Sequence, residues 1–543
     1  MKDIIIFGAG ISGLTVAHEL LERGFNVTIY EKKNSIGGLA RSKRDLNGKP
    51  TEHSFRAYGY FYNNLFELIK RIPIKSNNGK FMGKSVIDNL TKDLISISLS
   101  DTIKKHKVTQ WDIIYIGYHI LQGITSNKRR EIYKSQSFKD TVKDYISGDA
   151  YWTYIKSKVY LAGLDEDETS LLEITKTAER HLVNNIWNFS EIEGWLHMNK
   201  PTSEAWFIPW FNYLSILGLK LYLNSELIRY IPKKTQSKIY SNISCALVKI
   251  NGSVRVIGDQ NTIFINSTDP FSFKNTILRS FNLNKTDKSI LNSVHLVKRG
   301  SFDFITFLIE FNKKINLGKW NAVGFTDSEF NLFFSTQDKI FKNDTYFTKS
   351  NNSFWSGGLG ETRVKGKLFN KLPKEMSRSQ LDKEIKHQIF RSQEFKNLIE
   401  KYNDFPFSEL KIINMTMWSE WKYKNGVLNS DEKNWINSII TDKYRPDQKT
   451  IFNNLYITGT ATSTSVSLGS MESAVESGKI VANHITHGDV KLFTHKTPSY
   501  FIPFQIIDDI LYDLYLPNIV NFILIICFII VVVSFFLLEK KKI

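Results

Sequence analysis

Residues 4–13 read Ile4-Ile5-Ile6-Phe7-Gly8-Ala9-Gly10-Ile11-Ser12-Gly13. The apolar run predicts a buried parallel strand, and the glycines after it open an amphipathic helix. In this pattern Gly8 permits a tight turn, Gly10 lets a pyrophosphate approach the helix N-terminus, and Gly13 lets helix and strand pack closely. We therefore predict a Rossmann-like dinucleotide site to which Ile11 and Ser12 also contribute.

A second strand is predicted at 26–30, and it delivers Glu31 18 residues after Gly13. A carboxylate at this point accepts hydrogen bonds from the adenosine ribose hydroxyls and disfavours a 2′-phosphate. Glu31 and the adjacent Lys32 are therefore predicted to contact the cofactor.

A second glycine pair follows, in the sequence Gly37-Gly38-Leu39-Ala40-Arg41-Ser42. A simple nicotinamide domain has no need of it, whereas the longer FAD molecule needs a further contact near its phosphates. We predict that Gly38 and Arg41 supply this contact and that the cofactor is FAD.

The last third of the chain contains another strand and glycine turn, 454–459, and a helix that opens at 469–478. The first-turn amides of such a helix can stabilise the anionic edge of a reduced flavin. The predicted cofactor contacts in this region are Gly459, Thr460, Gly469, Met471 and Glu472.

Two further blocks complete the pattern: Glu52-His53-Ser54-Phe55-Arg56, and a central pair at 194–196 and 201–206. With them, the chain resembles the FAD-dependent flavin-containing amine oxidoreductase and phytoene-desaturase superfamily. The resemblance is strongest to its hydroxysqualene-dehydroxylase-like and carotenoid-desaturase-like branch, and it runs in order through residues 1 to about 486. It implies a two-lobed flavoenzyme.

The predicted fold class is α/β: a Rossmann-like FAD-binding domain interleaved with an α+β substrate domain, plus a C-terminal transmembrane helix. The FAD-binding domain is assigned 1–75, 191–290 and 431–486, and the substrate domain 76–190, which is helical, and 291–430, which is β-rich. Residues 487–518 are predicted to form a linker and an amphipathic helix.

Two departures from the family pattern concern the site. Thr460 stands where the family usually has an acidic residue, and Ser54 where it usually has glycine. Of the candidate catalytic residues, His53 is either a packed histidine beside the cofactor or a general base that tunes the flavin. Arg56 is either a substrate anchor or an internal ion-pair partner.

Composition narrows the possible partners. The chain has 543 residues and a net charge of +18, but its basic stretches come with no nucleic-acid-binding motif, so no nucleic-acid partner is expected. It has two cysteines, Cys245 and Cys527, too few for a disulfide framework or a cysteine-based metal site, and no metal is expected.

The C-terminal segment 519–538 is almost entirely apolar and is followed by three lysines. Twenty helical residues span about 30 Å, the thickness of a bilayer core, which predicts a single-pass anchor in a lipid bilayer. The catalytic body is expected on the cytosolic side, with an endoplasmic-reticulum-type membrane as one option.

These features predict a membrane-anchored FAD-dependent oxidoreductase that transfers hydride to the flavin from a small apolar, isoprenoid or lipid-like substrate. The segment 302–311 lacks the lysine that the amine-oxidase branch commonly carries, which weighs against an amine. An amine or protoporphyrinogen oxidase, or a flavin-fold protein without turnover, stays open as an alternative, and the sequence does not identify the electron acceptor.

Overall fold

The computed structural model describes most of the chain. The described residues are 2–52, 56–75, 79–91, 108–151, 169–187, 195–233, 242–281, 301–302, 304–325, 327–430, 432, 434–435, 439, 445–466 and 469–540.

The strands of these residues are numbered in chain order. They are β1 Ile4–Phe7, β2 Val27–Tyr30, β3 Tyr58–Gly59, β4 Pro73–Lys75, β5 Phe81–Ser85, β6 Leu90–Thr91, β7 Trp195–Met198, β8 Lys220–Tyr222, β9 Ser225–Pro232, β10 Ile243–Ile250, β11 Ser253–Ile257, β12 Ile263–Asn266, β13 Ser301–Phe302, β14 Thr306–Phe311, β15 Ala322–Phe325, β16 Leu332–Thr336, β17 Ser353–Leu359, β18 Ile412–Met417, β19 Trp421–Lys424, β20 Val427–Ser430, β21 Asn434–Trp435 and β22 Leu455–Ile457.

The α-helices of the same residues are numbered in the same way. They are α1 Ile11–Leu21, α2 Asn63–Lys70, α3 Gln110–Ile124, α4 Lys128–Tyr133, α5 Phe138–Val142, α6 Gly148–Ala150, α7 Leu171–Trp187, α8 Ile208–Ile216, α9 Pro270–Ser280, α10 Gln337–Ile340, α11 Thr345–Thr348, α12 Arg378–Arg391, α13 Gln393–Tyr402, α14 Met471–Ile485, α15 Ile502–Asp513 and α16 Ile519–Lys540.

A five-stranded parallel sheet forms the first lobe, in the order β22-β12-β1-β2-β8. Its strands come from the first, central and last thirds of the chain, so the lobe closes only when distant segments meet. Because helices cover the sheet, β1 is buried along its whole length. The predicted Rossmann-like α/β lobe is confirmed, while the predicted domain boundaries stay predictions.

Helices α1 and α14 pack directly against each other on this sheet. Gly478 makes the contact possible, because a Cβ atom there would lie 2.7 Å from the Ser12 carbonyl oxygen and 2.8 Å from the Thr15 Cβ. The close packing carries the end of the chain back to the first glycine turn.

The second lobe is built on a five-stranded antiparallel sheet in the order β15-β16-β17-β14-β18. Helices α12 and α13 cover one face, where Ile389 and Phe395 join Phe311 and Trp355 in one apolar core. The other face includes Ser335 and Ser356 and lies toward the first lobe, since the Ser356 hydroxyl donates to the Glu52 carbonyl at 2.6 Å.

The C-terminus corrects one part of the predicted fold class. In the part of the chain that the structure describes, no helix is both long and apolar enough to cross a membrane. The predicted transmembrane helix at 519–538 is therefore not supported.

Candidate cofactor site

The first glycine turn joins β1 to α1 and cannot be built with other residues. Gly8 has φ of 106°, and a Cβ there would lie 2.5 Å from the Ser267 carbonyl oxygen. A Cβ on Gly13 would lie 2.2 Å from the Gly8 carbonyl oxygen. These two glycines therefore serve packing and backbone conformation.

Gly10 differs from its neighbours because it faces open space. The nearest heavy atom to a Cβ built there is the Gly38 Cα, 3.9 Å away. Gly459, with φ of 135°, approaches the same region, where the nearest atom is the Ser12 Oγ at 3.9 Å. Gly10, Gly38 and Gly459 thus surround an open space at the N-terminus of α1, which we call the glycine cradle.

The glycine cradle has the chemistry of an anion site. The first amides of a helix, here those of Ile11 and Ser12, have no acceptor within their own helix and point at whatever lies before it. The two glycine turns are tied together because the Gly37 amide donates to the Ala9 carbonyl at 2.8 Å. A pyrophosphate can therefore approach three backbones without meeting a side chain.

Glu31 lies at the end of β2, beside this cradle. Its carboxylate accepts hydrogen bonds from the backbone amides of Ala9 at 2.7 Å and Lys33 at 2.8 Å. Burial raises the pKa of the Glu31 carboxyl, although the two amide donors act to lower it. The carboxylate is thus held at the edge of the glycine turn, where it fits a ribose hydroxyl. Lys32 instead forms an exposed ion pair with Glu226 at 2.9 Å.

Arg41 is buried, with 2% of its surface exposed, and contacts both lobes. Its guanidinium donates to the Gly38 carbonyl at 2.7 Å and to the carboxylates of Glu432 at 2.7 Å and Glu420 at 3.2 Å. Its charge is therefore shared with the second lobe, and its predicted contact with a phosphate stays a prediction.

The late glycine turn is held by a residue that sequence reasoning missed. The Ser477 hydroxyl accepts from the Gly459 amide at 3.0 Å and bonds the hydroxyls of Thr458 at 2.9 Å and Thr462 at 2.7 Å. Its position one residue before Gly478, on the helix face that packs inward, was the available signal.

Two further residues around the turns were also missed. Arg445 donates to the Thr460 carbonyl at 3.2 Å, which places a positive charge behind the residue that replaces the family's acid. Ser267 bonds Ser12 through their hydroxyls at 2.8 Å. Neither lies in a motif, so no sequence signal pointed to them.

The start of α14 has a structural role in this lobe: it caps helix α2. Glu472 is fully buried and accepts from the backbone amides of Asn64 at 2.9 Å and Leu65 at 2.8 Å, which caps the N-terminus of α2. Burial raises the pKa of Glu472 to about 7. Gly469 and Met471 lie beside the Ser470 cap of α14, and the cofactor contacts predicted for all three stay predictions.

The block at 52–56 reaches the second lobe. His53 lies outside the described residues, so its predicted role stays a prediction. Arg56 forms an ion pair with Glu52 at 3.2 Å and donates to the Leu39 carbonyl at 2.9 Å. The Glu52 carboxylate also accepts from the Thr202 amide at 2.9 Å, so the structure joins the early and central blocks.

These features are those of a dinucleotide-binding lobe. Beyond the first glycine turn, this lobe has a second glycine pair, Gly37 and Gly38, and a strand from the last third of the chain, β22. The sequence comparisons agree. Residues 6–72 match the family model of an NAD(P)-binding Rossmann-like domain, and residues 409–486 match that of the flavin containing amine oxidoreductases.

Among curated relatives, the chain is 39% identical over 74 residues to the zeta-carotene desaturase of Solanum lycopersicum. It is 32% identical over 112 residues to the 4,4′-diaponeurosporene oxygenase of Staphylococcus haemolyticus. The aligned parts are short: they cover 14% of this chain and 13% of the desaturase, and 19% of this chain and 22% of the oxygenase.

Solved structures match over a much longer span. An oxidoreductase from Methanosarcina mazei superposes with a TM-score of 0.55 at 12% identity, over 88% of this chain and 99% of that one. A putrescine oxidase redesigned in its cofactor binding superposes with a TM-score of 0.58 at 14% identity, over 90% and 99%. At these identities the likeness shows the fold.

In two segments and in its fold, the chain is similar to the FAD-dependent amine oxidases and carotenoid desaturases. These matches confirm the predicted resemblance, the predicted FAD cofactor and the predicted oxidoreductase class.

Proposed function

We propose that this protein is an FAD-dependent oxidoreductase that takes a hydride from an apolar, lipid-like substrate. The observation that carries the proposal is the glycine cradle: Gly10, Gly38 and Gly459 leave open space at a helix N-terminus, beside a carboxylate held by two backbone amides. This arrangement fits the pyrophosphate and ribose of a dinucleotide.

The redox chemistry is supplied by FAD, which accepts two electrons and a proton from a substrate C–H bond as a hydride. The residues of this chain position the cofactor and shield the site where it binds. Glu31 would hold the ribose end of the cofactor, and the amides of Ile11 and Ser12 would face its phosphates. The buried ion pairs of Arg41 with Glu420 and Glu432 tie the second glycine turn to the segment 420–432.

The preference for an apolar substrate rests on the relatives and on the second lobe. The sequence relatives are named for carotenoid substrates, which are apolar isoprenoids. Strand β14 of the second-lobe sheet carries no lysine along Thr306–Phe311. Both points favour a hydrocarbon-rich substrate over an amine.

The test is anaerobic reduction of the bound flavin. We expect the purified protein to be yellow and its flavin to bleach with an isoprenoid lipid faster than with a simple primary amine. Rapid bleaching by the amine would contradict the substrate class. A colourless protein that FAD cannot reconstitute would contradict the oxidoreductase proposal as a whole.

A lipid surface is the second partner that we propose, and α15 supports it. One side of this helix is bound to the body, since Asp508 pairs with Arg129 at 3.0 Å. The opposite side exposes Ile506, Ile510 and Leu514 to solvent. An amphipathic helix with a free apolar side can lie along a lipid surface and bring an apolar substrate within reach.

Co-sedimentation with phospholipid vesicles tests this contact. We expect the wild-type protein to bind, and Ile506→Asp together with Ile510→Asp to reduce binding severalfold at unchanged FAD content. Val254→Asp, at an exposed position of β11, is the matched control that should bind as the wild type does. Equal binding of all three proteins would contradict the proposal.

A further inference from the structure

The loop 459–464, which contains the late glycine turn, is held by a single arginine. Arg445 donates to the carbonyls of Thr460, at 3.2 Å, and of Thr462, and also to the hydroxyl of Thr464 at 3.2 Å. One guanidinium group therefore contacts every second residue of the loop after its glycine.

Gln448 holds the same loop from a buried position. Its side chain is 3% exposed, and its Nε2 atom donates to the Ser463 carbonyl at 2.6 Å and to the Thr462 hydroxyl at 3.0 Å. The backbone adds a further bond, since the Ser463 amide donates to the Pro446 carbonyl at 2.8 Å. The segment 445–448 therefore fixes the loop through side chains and backbone together.

These contacts set the direction of two backbone amides. Thr462 donates to the Gly459 carbonyl through its amide at 3.1 Å and through its hydroxyl at 2.8 Å. Arg445 holds the next carbonyl, that of Thr460. In a trans peptide the carbonyl and the following N–H point in opposite directions. The Thr460 amide therefore points away from Thr462, and the Ala461 amide points away from Arg445.

The two amides are left to bind something else. Within the part of the chain that the structure describes, neither the Thr460 amide nor the Ala461 amide donates a hydrogen bond. Both residues are half-buried. Successive backbone amides without acceptors make a site for an acceptor oxygen. Because Gly459 borders the glycine cradle, this site adjoins the space where the pyrophosphate is expected.

The position of the loop indicates which part of FAD these amides meet. Glu31 and the first glycine turn lie at the end that fits the adenosine ribose. The loop 459–464 leads instead toward α14, whose N-terminus is predicted to face the flavin. We therefore expect the free amides on the flavin side of the pyrophosphate, where FAD carries its ribityl chain.

We propose that Arg445 and Gln448 are positioning residues for FAD, which hold their loop so that the amides of Thr460 and Ala461 donate to the ribityl side of the cofactor. Two backbone amides thus stand where the family usually has an acidic side chain. The inference rests on the proposed function, whose cofactor site it refines.

The experiment compares the binding of FAD and of ADP to the full chain after removal of its cofactor. ADP has the adenosine and two phosphates but neither ribityl chain nor flavin. Quenching of flavin fluorescence follows FAD, and calorimetry follows ADP, so neither signal depends on turnover. Arg445→Met keeps a similar length and removes the donors. Its dissociation constant for FAD should rise about tenfold, while that for ADP should stay within about twofold of wild type.

Two further variants test the same contacts. Gln448→Met acts through Thr462, so it should raise the FAD dissociation constant by a smaller factor, about threefold, again with ADP binding unchanged. Arg445→Lys keeps the charge and a donor, and it should recover part of the FAD affinity that Arg445→Met loses. Should Arg445→Met fail to fold, these two variants decide.

Arg378→Met is the matched control. Arg378 also donates to a backbone carbonyl, that of Met415 at 2.8 Å, but it lies in the second lobe. Its replacement should leave the affinity for FAD and for ADP within about twofold of wild type.

Unchanged FAD affinity in both Arg445→Met and Gln448→Met would overturn the inference. An equal loss of FAD and ADP affinity would overturn it too, because it would indicate a general disturbance of the lobe. A loss of FAD affinity in Arg378→Met as large as that in Arg445→Met would have the same meaning. These outcomes leave the proposed function standing, whereas a folded wild-type protein that binds no FAD would refute the proposed function and this inference together.

Discussion

Replacement of Gly10 by alanine separates the cofactor role of the glycine cradle from its structural role. The added Cβ would meet no protein atom closer than 3.9 Å, and the φ of −76° at Gly10 is one that alanine adopts freely. The methyl group would nevertheless stand in the open space before the N-terminus of α1, where the pyrophosphate is expected.

The expected effect on stability is small. A Gly→Ala change at a compatible backbone position stabilises by about 0.4–1 kcal/mol through the unfolded chain. Gly10 is also the N-cap of α1, where alanine is less favourable than glycine, so the two effects largely offset. We expect the free energy of unfolding to stay within about 1 kcal/mol of wild type.

The expected effect on binding is large. A methyl group that holds the phosphates away from the helix amides should cost about 1.4–2.8 kcal/mol, the equivalent of one or two charge-assisted hydrogen bonds. The dissociation constant for FAD should therefore rise by about 10- to 100-fold.

The assay titrates apo-protein with FAD and follows the quenching of flavin fluorescence, while urea denaturation measures stability. Gly117→Ala is the control, because Gly117 lies in α3 with no atom within 4 Å of its added Cβ and far along the chain from the cradle. Gly13→Ala is the contrast: its Cβ would lie 2.2 Å from the Gly8 carbonyl oxygen, so it should lose stability first. FAD affinity of Gly10→Ala within twofold of wild type would refute the placement of the pyrophosphate.

Three more predictions rest on single contacts. Glu31→Gln keeps one acceptor for two backbone amides and removes the charge, so FAD should bind about tenfold more weakly in the same titration. Gly478→Ala should lower the free energy of unfolding by at least about 1–3 kcal/mol in urea, because its Cβ would lie 2.7 Å from the Ser12 carbonyl oxygen. Burial, and to a lesser degree Arg180, lowers the pKa of His495 to about 4. The His495 imidazole is therefore neutral in the folded protein, whereas in the unfolded chain it takes up a proton below about pH 6.5. Its contribution to the free energy of unfolding is complete above about pH 6.5 and is lost as the pH falls toward 4. The stability of wild type relative to His495→Gln should thus drop by up to about 3 kcal/mol over that window, and parallel pH curves would contradict the assignment.

The first lobe is predictable from sequence because its signals are local. A strand, a glycine turn and a helix follow one another within residues 4–21, and the steric need for Gly13 arises inside this unit, from the Gly8 carbonyl oxygen. The steric need for Gly8 comes from Ser267, which is far away in the chain. Glu31 likewise follows from the end of β2, since a carboxylate at that position can reach only the adjacent turn.

The C-terminus shows the limit of an apolar run as a signal. Length and hydropathy at 519–538 predicted a membrane span, and the described structure supports none. The tertiary structure shows a contact that the apolar run does not indicate. Near the start of α16, the Asn521 side chain accepts from the Tyr118 hydroxyl of α3 at 2.6 Å.

The sequence by itself indicated the family resemblance, the FAD cofactor and the two glycines Gly10 and Gly38 of the cradle, because these depend on motifs whose residues are close together in the chain. That Gly459 lies at the same open space was decided by the tertiary structure. Only the tertiary structure decided what Arg41, Glu472 and Ser477 contact, since their partners lie far away in sequence. It also decided that Arg445 and Gln448 hold the loop 459–464. A buried polar atom needs a hydrogen-bonding partner, and the tertiary fold decides which residue, often distant in sequence, supplies it. No local sequence pattern specifies that residue.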